Sequence, residues 1–180
     1  GGRLDATTAH PNRPIIAIAS IGLDHCEYLG DTLQAIAREK AAVITPYCKV
    51  ISAQQCIEVR NVLENIANKN HSKINWVKPL DKSWKIGLAG EVQRQNAAVA
   101  KKALEELKLM GFLINEEIIK IGFENANWPA RMQKVAWNQK CVLLDCAHNP
   151  PAAKNLAKER KKWKNEIYGV CWILGIQSHK

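Results

Sequence analysis

The chain holds 180 residues, 47% of them apolar and 24% charged. These are the proportions of a globular domain, or of one domain and part of another, and they exclude a disordered or collagen-like chain. The net charge of +9 is uneven: residues 127–180 carry ten basic and three acidic side chains, against sixteen and fourteen before them, so any anionic partner is sought at the C-terminal end.

Residues 15–20 predict a buried strand, and Asp31 stands where it would cap a helix over 32–44 that Pro46 stops. A short strand is expected at 49–52, then a helix over 55–68 with Val59, Leu63 and Ile66 on one side. Residues 74–77 and 84–88 predict two more strands. The longest helix is expected over 91–110, ending at Gly111, with a shorter one over 115–123. Asn-Ala-Asn-Trp-Pro, 125–129, is rich in breakers and reads as a linker. Beyond it the pattern predicts a strand at 141–145, a helix over 151–163 opened by prolines, and a strand at 170–174. Strand–helix alternation on both sides of the linker predicts an α/β fold with parallel sheets, one domain over 1–126 and a second beginning at 127. The longest mostly apolar run, 15–23, is broken by Ser20 and Gly22 and is far shorter than the about 20 residues of a membrane helix.

Three clusters carry chemistry. Ser-Ile-Gly-Leu-Asp-His-Cys-Glu, 20–27, follows the first strand, and open α/β sheets hold ligands at the carboxyl ends of strands. Asp24, His25 and Glu27 could there bind a metal or do acid–base work, or simply satisfy loop backbone groups. On the helix over 32–44, Leu33, Ile36, Ala37 and Ile44 share one face, and Lys40 falls inside that stripe. Desolvation favours the neutral, nucleophilic form of an amine, so either the stem snorkels to water or Lys40 has a purpose. Leu-Leu-Asp-Cys-Ala-His-Asn-Pro-Pro, 143–151, ends a strand in an acid and opens a helix on proline. N–H groups at that helix start would attract an anion and Asp145 could hold a ribose hydroxyl; equally, Asn149 could cap an ordinary turn.

Weaker features surround these. Arg131, after Trp128-Pro129, could clamp a phosphate, and Asn96 could read an adenine edge or face water. The six cysteines include no C-x-x-C pair, which speaks against zinc and against a disulfide-stapled secreted fold. The basic run 154–164 reads first as a solvated helix face, next as the neighbour of an anionic ligand, and last as a nucleic-acid surface.

Seven segments stand in a fixed order: Gly-Gly-Arg-Leu-Asp-Ala-Thr (1–7), Ser-Ile-Gly-Leu-Asp-His (20–25), Leu-Gly-Asp-Thr-Leu (29–33), Glu-Lys-Ala (39–41), Arg-Gln-Asn-Ala-Ala (94–98), Trp-Pro-Ala-Arg (128–131) and Asp-Cys-Ala-His-Asn-Pro (145–150). With these the chain resembles folylpolyglutamate synthase/dihydrofolate synthase of the Mur ligase superfamily, over essentially its whole length. The resemblance implies the later part of a parallel-sheet central ATPase domain over 1–126 and the start of a smaller Rossmann-like C-terminal domain over 127–180. It implies Leu4, Asp5 and Ala6 at the pterin-bearing substrate and His25 as a magnesium ligand. Lys40 becomes a catalytic, N-carboxylated (carbamylated) lysine near the metals, and Asn96, Arg131 and Asp145 become ATP contacts with His148 beside them.

The implied reaction is ATP-dependent amide formation, with ATP and magnesium as cofactors. A folate or dihydropteroate carboxylate is phosphorylated, the amine of L-glutamate attacks the acyl phosphate, and phosphate leaves. A cytoplasmic monomer with no nucleic-acid or membrane partner is expected. The chain contains no G-x-x-x-x-G-K-[ST], so the resemblance also implies a P-loop and a magnesium-binding Glu upstream of Gly1, and an internal fragment that does not ligate alone. Thr8, Cys26, Ala42 and Val92 stand where the family commonly carries Asn, Thr, Gly and His. Ala130 and Cys146 replace glycines, and would crowd the nucleotide turn if those glycines served positive φ or close approach. Three rival readings are a ligase of the same scaffold with another substrate, such as a peptidoglycan precursor, a non-catalytic binding remnant, and a basic nucleic-acid module.

Overall fold

The computed structural model describes residues 3–163 and 169–175. Gly1 and Gly2 of the first motif, Lys164 of the basic run and 176–180 of the segment after the last expected strand lie outside the described residues. Three strands, β1 (Ile15–Ile18), β2 (Lys49–Ala53) and β3 (Lys73–Val77), form a parallel sheet in that order, with Ile16 beside Val50 and Val50 beside Ile74. The described helices are α1 (Cys26–Leu29), α2 (Leu33–Ala41), α3 (Ile57–Lys69), α4 (Glu91–Leu109), α5 (Glu116–Glu124) and α6 (Pro150–Arg160).

The strands are short apolar runs because both faces of the sheet are covered. Ile16, Ile18, Val50 and Ile74 pack into one cluster with Ala37 and Ala41 of α2 and Val59, Leu63 and Ala67 of α3. Ile15, Ile51, Ala53 and Val77 belong to the other, with Val99 and Ala103 of α4. Val50, Val59 and Leu63 are wholly buried, each stabilising the fold by about 1.5–3 kcal/mol.

The helix boundaries follow from local hydrogen bonds. Thr32, rather than Asp31, caps α2, its Oγ1 accepting from the Ala35 N–H at 3.1 Å. The helix stops at Ala41, short of 44, where the Arg13 Nε donates to the Val43 carbonyl at 2.9 Å and the chain curls into a turn. Residues 84–88 form no strand. The Gly87 N–H donates to the Phe123 carbonyl at 2.8 Å, and the Trp84 carbonyl accepts from Arg94 at 3.1 Å, which commits that backbone to α5 and α4 instead. Trp84 meets Phe123 edge-on, with the Lys101 and Lys120 ammonium groups over its ring.

After the linker, β4 (Gln133–Trp137) and β5 (Lys140–Leu144) form an antiparallel hairpin with Val135 opposite Val142. Asn138 and Gln139 join them with φ of 47° and 62°, the paired left-handed conformation that suits a two-residue hairpin turn. Residues 170–174 form no strand. Among the described residues the part beyond 127 therefore carries an antiparallel pair and α6, and the expected second parallel pairing is not formed. No described helix is long and apolar enough to cross a membrane.

Candidate active site

Two clefts meet at the carboxyl end of β1, sharing Ala19, Ser20 and Ile21. Gln55, just past β2, builds this junction. Its Nε2 donates to the Ala19 carbonyl at 2.9 Å and to Ser52 Oγ at 3.1 Å, and its Oε1 accepts from the Ile21 N–H at 2.9 Å. Sequence reasoning missed Gln55. The available signal was a single amide placed where one strand's exit must be tied to its neighbour's.

The first cleft, about 490 Å³, runs along β1 and is walled by Asp5, Thr7, Arg13, Lys40 and Val43. Lys40 is half-buried beside the wholly buried Ala41, and among the described residues its ammonium has no ion-pair partner. The Arg3 guanidinium instead forks onto neighbouring Glu39, Nε to Oε1 at 3.2 Å, and ties the N-terminal segment to α2. Asp5 Oδ1 accepts from the Thr7 N–H at 2.9 Å, which holds its carboxyl below the ordinary value. Leu4 is 95% exposed, and neither Leu4 nor Ala6 lines a cleft.

His25 opens α1 in the left-handed region, φ 52°, with its Nε2 3.6 Å from Asp24 Oδ2. It is exposed and lines neither cleft, so the structure does not bring it to the cleft that Lys40 lines. Among the described residues no three His, Cys, Asp or Glu side chains gather as a metal site. His25 would supply one nitrogen position to a magnesium ion, which prefers oxygen donors, and among the described residues the cleft-lining acids do not gather with it into a metal site.

The second cleft, about 1270 Å³, brings together Asn96 of α4, Arg131 of the linker and Asp145 at the end of β5. Both Asp145 oxygens hold backbone, Oδ2 accepting from Met132 N at 2.9 Å and Oδ1 from Ala147 N at 2.8 Å. Asn96 Nδ2 donates to Gln93 Oε1 at 3.0 Å. Arg131 is exposed, with no side-chain partner among the described residues. His148 lies outside the cleft wall, exposed, its Nδ1 2.8 Å from the Cys146 carbonyl oxygen. Gly22 lets the loop after β1 touch α6: a Cβ there would run into Pro151 Cγ and lie 3.2 Å from its Cβ.

The helix start that the sequence offered as an anion site does not serve as one. Pro150 and Pro151 have no N–H, and the Ala152 N–H donates to the Asn149 cap at 2.9 Å. Of the two glycine replacements, Ala130 sits at φ 55° and Cys146 is outside the positive-φ region. Only Ala130 therefore holds the backbone strain that a glycine would relieve, about 1 kcal/mol.

Glu159 of α6 is 9% exposed and closes the far side of the second cleft. It accepts from the Glu91 N–H at 3.0 Å and from Lys162 Nζ at 3.0 Å. Burial pushes its carboxyl up, but these two donors outweigh it and hold the group below its ordinary value.

No family model matches the chain. A probable dihydrofolate synthetase of Schizosaccharomyces pombe is 32% identical over 200 residues, covering 100% of this chain and 48% of that protein. A folylpolyglutamate synthase of Arabidopsis thaliana is 38% identical over 181 residues, 88% of this chain and 32% of that protein. The structure of E. coli FolC in complex with DHPP and ADP superposes with a TM-score of 0.74 at 28% identity, over 91% of this chain and 41% of that one. The chain spans about half the length, or less, of the curated relatives it matches.

Proposed function

The chain belongs to the dihydrofolate synthase/folylpolyglutamate synthase family, and we propose that it forms part of an ATP-dependent ligase joining L-glutamate to a folate or dihydropteroate carboxylate. The observation that carries this reading is the convergence of Asn96, Arg131 and Asp145, from three distant segments, on one cleft. In our assignment Asn96 reads the base edge, Arg131 pairs with phosphate and Asp145 accepts from a ribose hydroxyl. Each Asp145 oxygen already accepts one N–H, and a carboxylate oxygen accepts a second donor readily. His148, in the same turn, is assigned to the nucleotide side.

We assign Leu4, Asp5 and Ala6 to the pterin-bearing substrate, and the meeting of the two clefts at Ala19–Ile21 supports this layout. The substrate carboxylate would enter from the first cleft and attack the terminal phosphorus of ATP, breaking its bond to the bridging oxygen and releasing ADP, to leave an acyl phosphate. The glutamate amine would then attack the acyl carbon, forming the amide and releasing phosphate. Magnesium, when bound, neutralises charge on the phosphates, and His25 is the ligand we assign to it. Residues 1–126 are taken as part of the central ATPase domain and 127–180 as the start of the C-terminal domain, in a cytoplasmic monomer.

Lys40 is taken as the carbamylated residue. A neutral amine adds to carbon dioxide and loses a proton, giving an anionic carbamate at the wall of the first cleft. Its place on the wall of the first cleft, beside Asp5, Thr7 and Arg13, is what supports that role. The test is phosphate release dependent on glutamate and on dihydropteroate or tetrahydrofolate, measured on the full-length natural protein. Lys40→Ala should abolish turnover with the melting curve unchanged, and acetate should restore part of it. Near-normal turnover by that variant would overturn the assignment, and a 180-residue chain that ligates alone would overturn its status as a part.

A further inference from the structure

We propose that Lys154 and Lys158 form a cationic rail that binds a multiply charged anion in the second cleft. The inference rests on the nucleotide reading of that cleft and deepens it. The two lysines stand four residues apart on α6, hence one turn apart on one side of the helix, and both line the cleft wall. Lys162 continues the line and is already engaged, its Nζ 3.0 Å from Glu159 and 3.2 Å from Glu91. Lys154 and Lys158 are exposed and have no ion-pair partner among the described residues.

The acids of the same wall are occupied. Asp145 holds the Met132 and Ala147 N–H groups, Glu159 holds the Glu91 N–H and Lys162, and Glu91 holds Lys162. The cleft lining carries four basic side chains against three acidic ones, and Arg131, Lys154 and Lys158 are the cations in it with no acidic partner among the described residues. Backbone does not take their place, because Pro150, Pro151 and the capped Ala152 leave the start of α6 without a free N–H. Anion binding on this wall therefore falls to side chains, and an ammonium with three donors suits phosphate or carboxylate oxygens. Two ligands present such chemistry to this enzyme: the phosphates of the nucleotide, and the carboxylates of a substrate that already carries several glutamates.

The experiment uses the full-length natural protein, its Lys154→Gln/Lys158→Gln variant and a control, Lys134→Gln/Lys161→Gln, which removes equal charge from exposed residues outside the cleft. Binding of a non-hydrolysable ATP analogue and KM for mono- and triglutamylated folate are measured at low and moderate salt. The rail variant should lose about fivefold in one of the two, with a shallower salt dependence, while the control and both melting curves stay unchanged. Weaker analogue binding identifies the phosphates, and a KM rise confined to the triglutamate identifies the tail. Both quantities unchanged within about twofold, or equal losses in the control, would overturn the proposal. Wild-type protein that binds no nucleotide refutes the proposed function itself, a result distinct from wild-type binding that the rail variant leaves intact.

Discussion

Alanine at Gly87 and at Gly122 should shift stability in opposite directions, although the substitution is the same. A Cβ on Gly87 would lie 2.5 Å from the Glu124 carbonyl oxygen and closer still to that of Ala126. Both are backbone atoms, at the end of α5 and the start of the linker, so no side-chain rotation relieves the clash. Overpacking of this kind costs about 1–3 kcal/mol. Displacing the chain also weakens the Gly87 N–H bond to Phe123, about 1 kcal/mol. The unfolded chain loses freedom on gaining a Cβ, which offsets about 0.4–1 kcal/mol. The net expectation is a loss of about 2 kcal/mol, or about 4–8 °C in melting temperature for a chain of this size. Gly122 lies within α5 with nothing within 4 Å of the added atom, so alanine should stabilise by about 0.5–1 kcal/mol. Urea and thermal unfolding of the two variants read both numbers. If Gly87→Ala were neutral, or if both variants moved the same way, the close approach of Gly87 to the end of α5 would be wrong.

Leu63→Ala, at a wholly buried site between α3 and the sheet, should cost about 2–5 kcal/mol and lower the urea midpoint without changing the slope. Gln55→Ala removes the three bonds that join the ends of β1 and β2, and should cost about 1–3 kcal/mol. Faster amide exchange at Ile21 would locate that loss at the junction of the clefts. Glu106 accepts from Lys49 Nζ at 2.6 Å, which, against burial and with help from Lys102, holds its carboxyl below the ordinary 4.5. Its contribution is complete above pH 4.5 and is lost as the pH falls through the lowered folded value. Glu106→Gln should therefore be less stable than wild type at pH 7, with the gap closing in acid, and a pH-independent gap would refute the ion pair.

The first two strands of the first sheet were legible because a parallel strand covered on both faces favours consecutive apolar residues, as in 15–19 and, more briefly, at Val50 and Ile51. Helices α3, α4 and α5 were legible to within a residue or two at each end for the matching reason of period. What failed did so where long-range contacts decide. Residues 84–88 alternate like a strand, but Gly87 and Trp84 bond to α5 and α4, so no ladder forms. The strand β4 was missed because its partner turn, Asn138-Gln139, lacks the usual glycine and because most of its side chains face water. The motif residues could be named from sequence, yet the cleft that collects Asn96, Arg131 and Asp145 could not, since no local pattern encodes the contact of α6 with the loop at Gly22.

The turn at 145–151 shows how two readings of one motif separate. From sequence, a strand ending in an acid and a helix opening on proline supports both an anion-binding helix start and a self-capped turn. Prolines at the first two helical positions remove two donors, and Asn149 consumes the third. The cap is therefore the correct reading of Asn149, and the anion must be met elsewhere. Asp145 has a similar double character: by tying Met132 to Ala147 it fixes the linker against the turn, which is what sets Arg131 at the cleft rim. Under the proposed assignment, the positive charge that this turn's side of the cleft offers a nucleotide would come from side chains, Arg131 and the lysines of α6, rather than from the start of α6. Side-chain recognition of that kind tolerates the strained Ala130 next to Arg131, because a long guanidinium stem can absorb a small backbone displacement that a fixed N–H donor cannot.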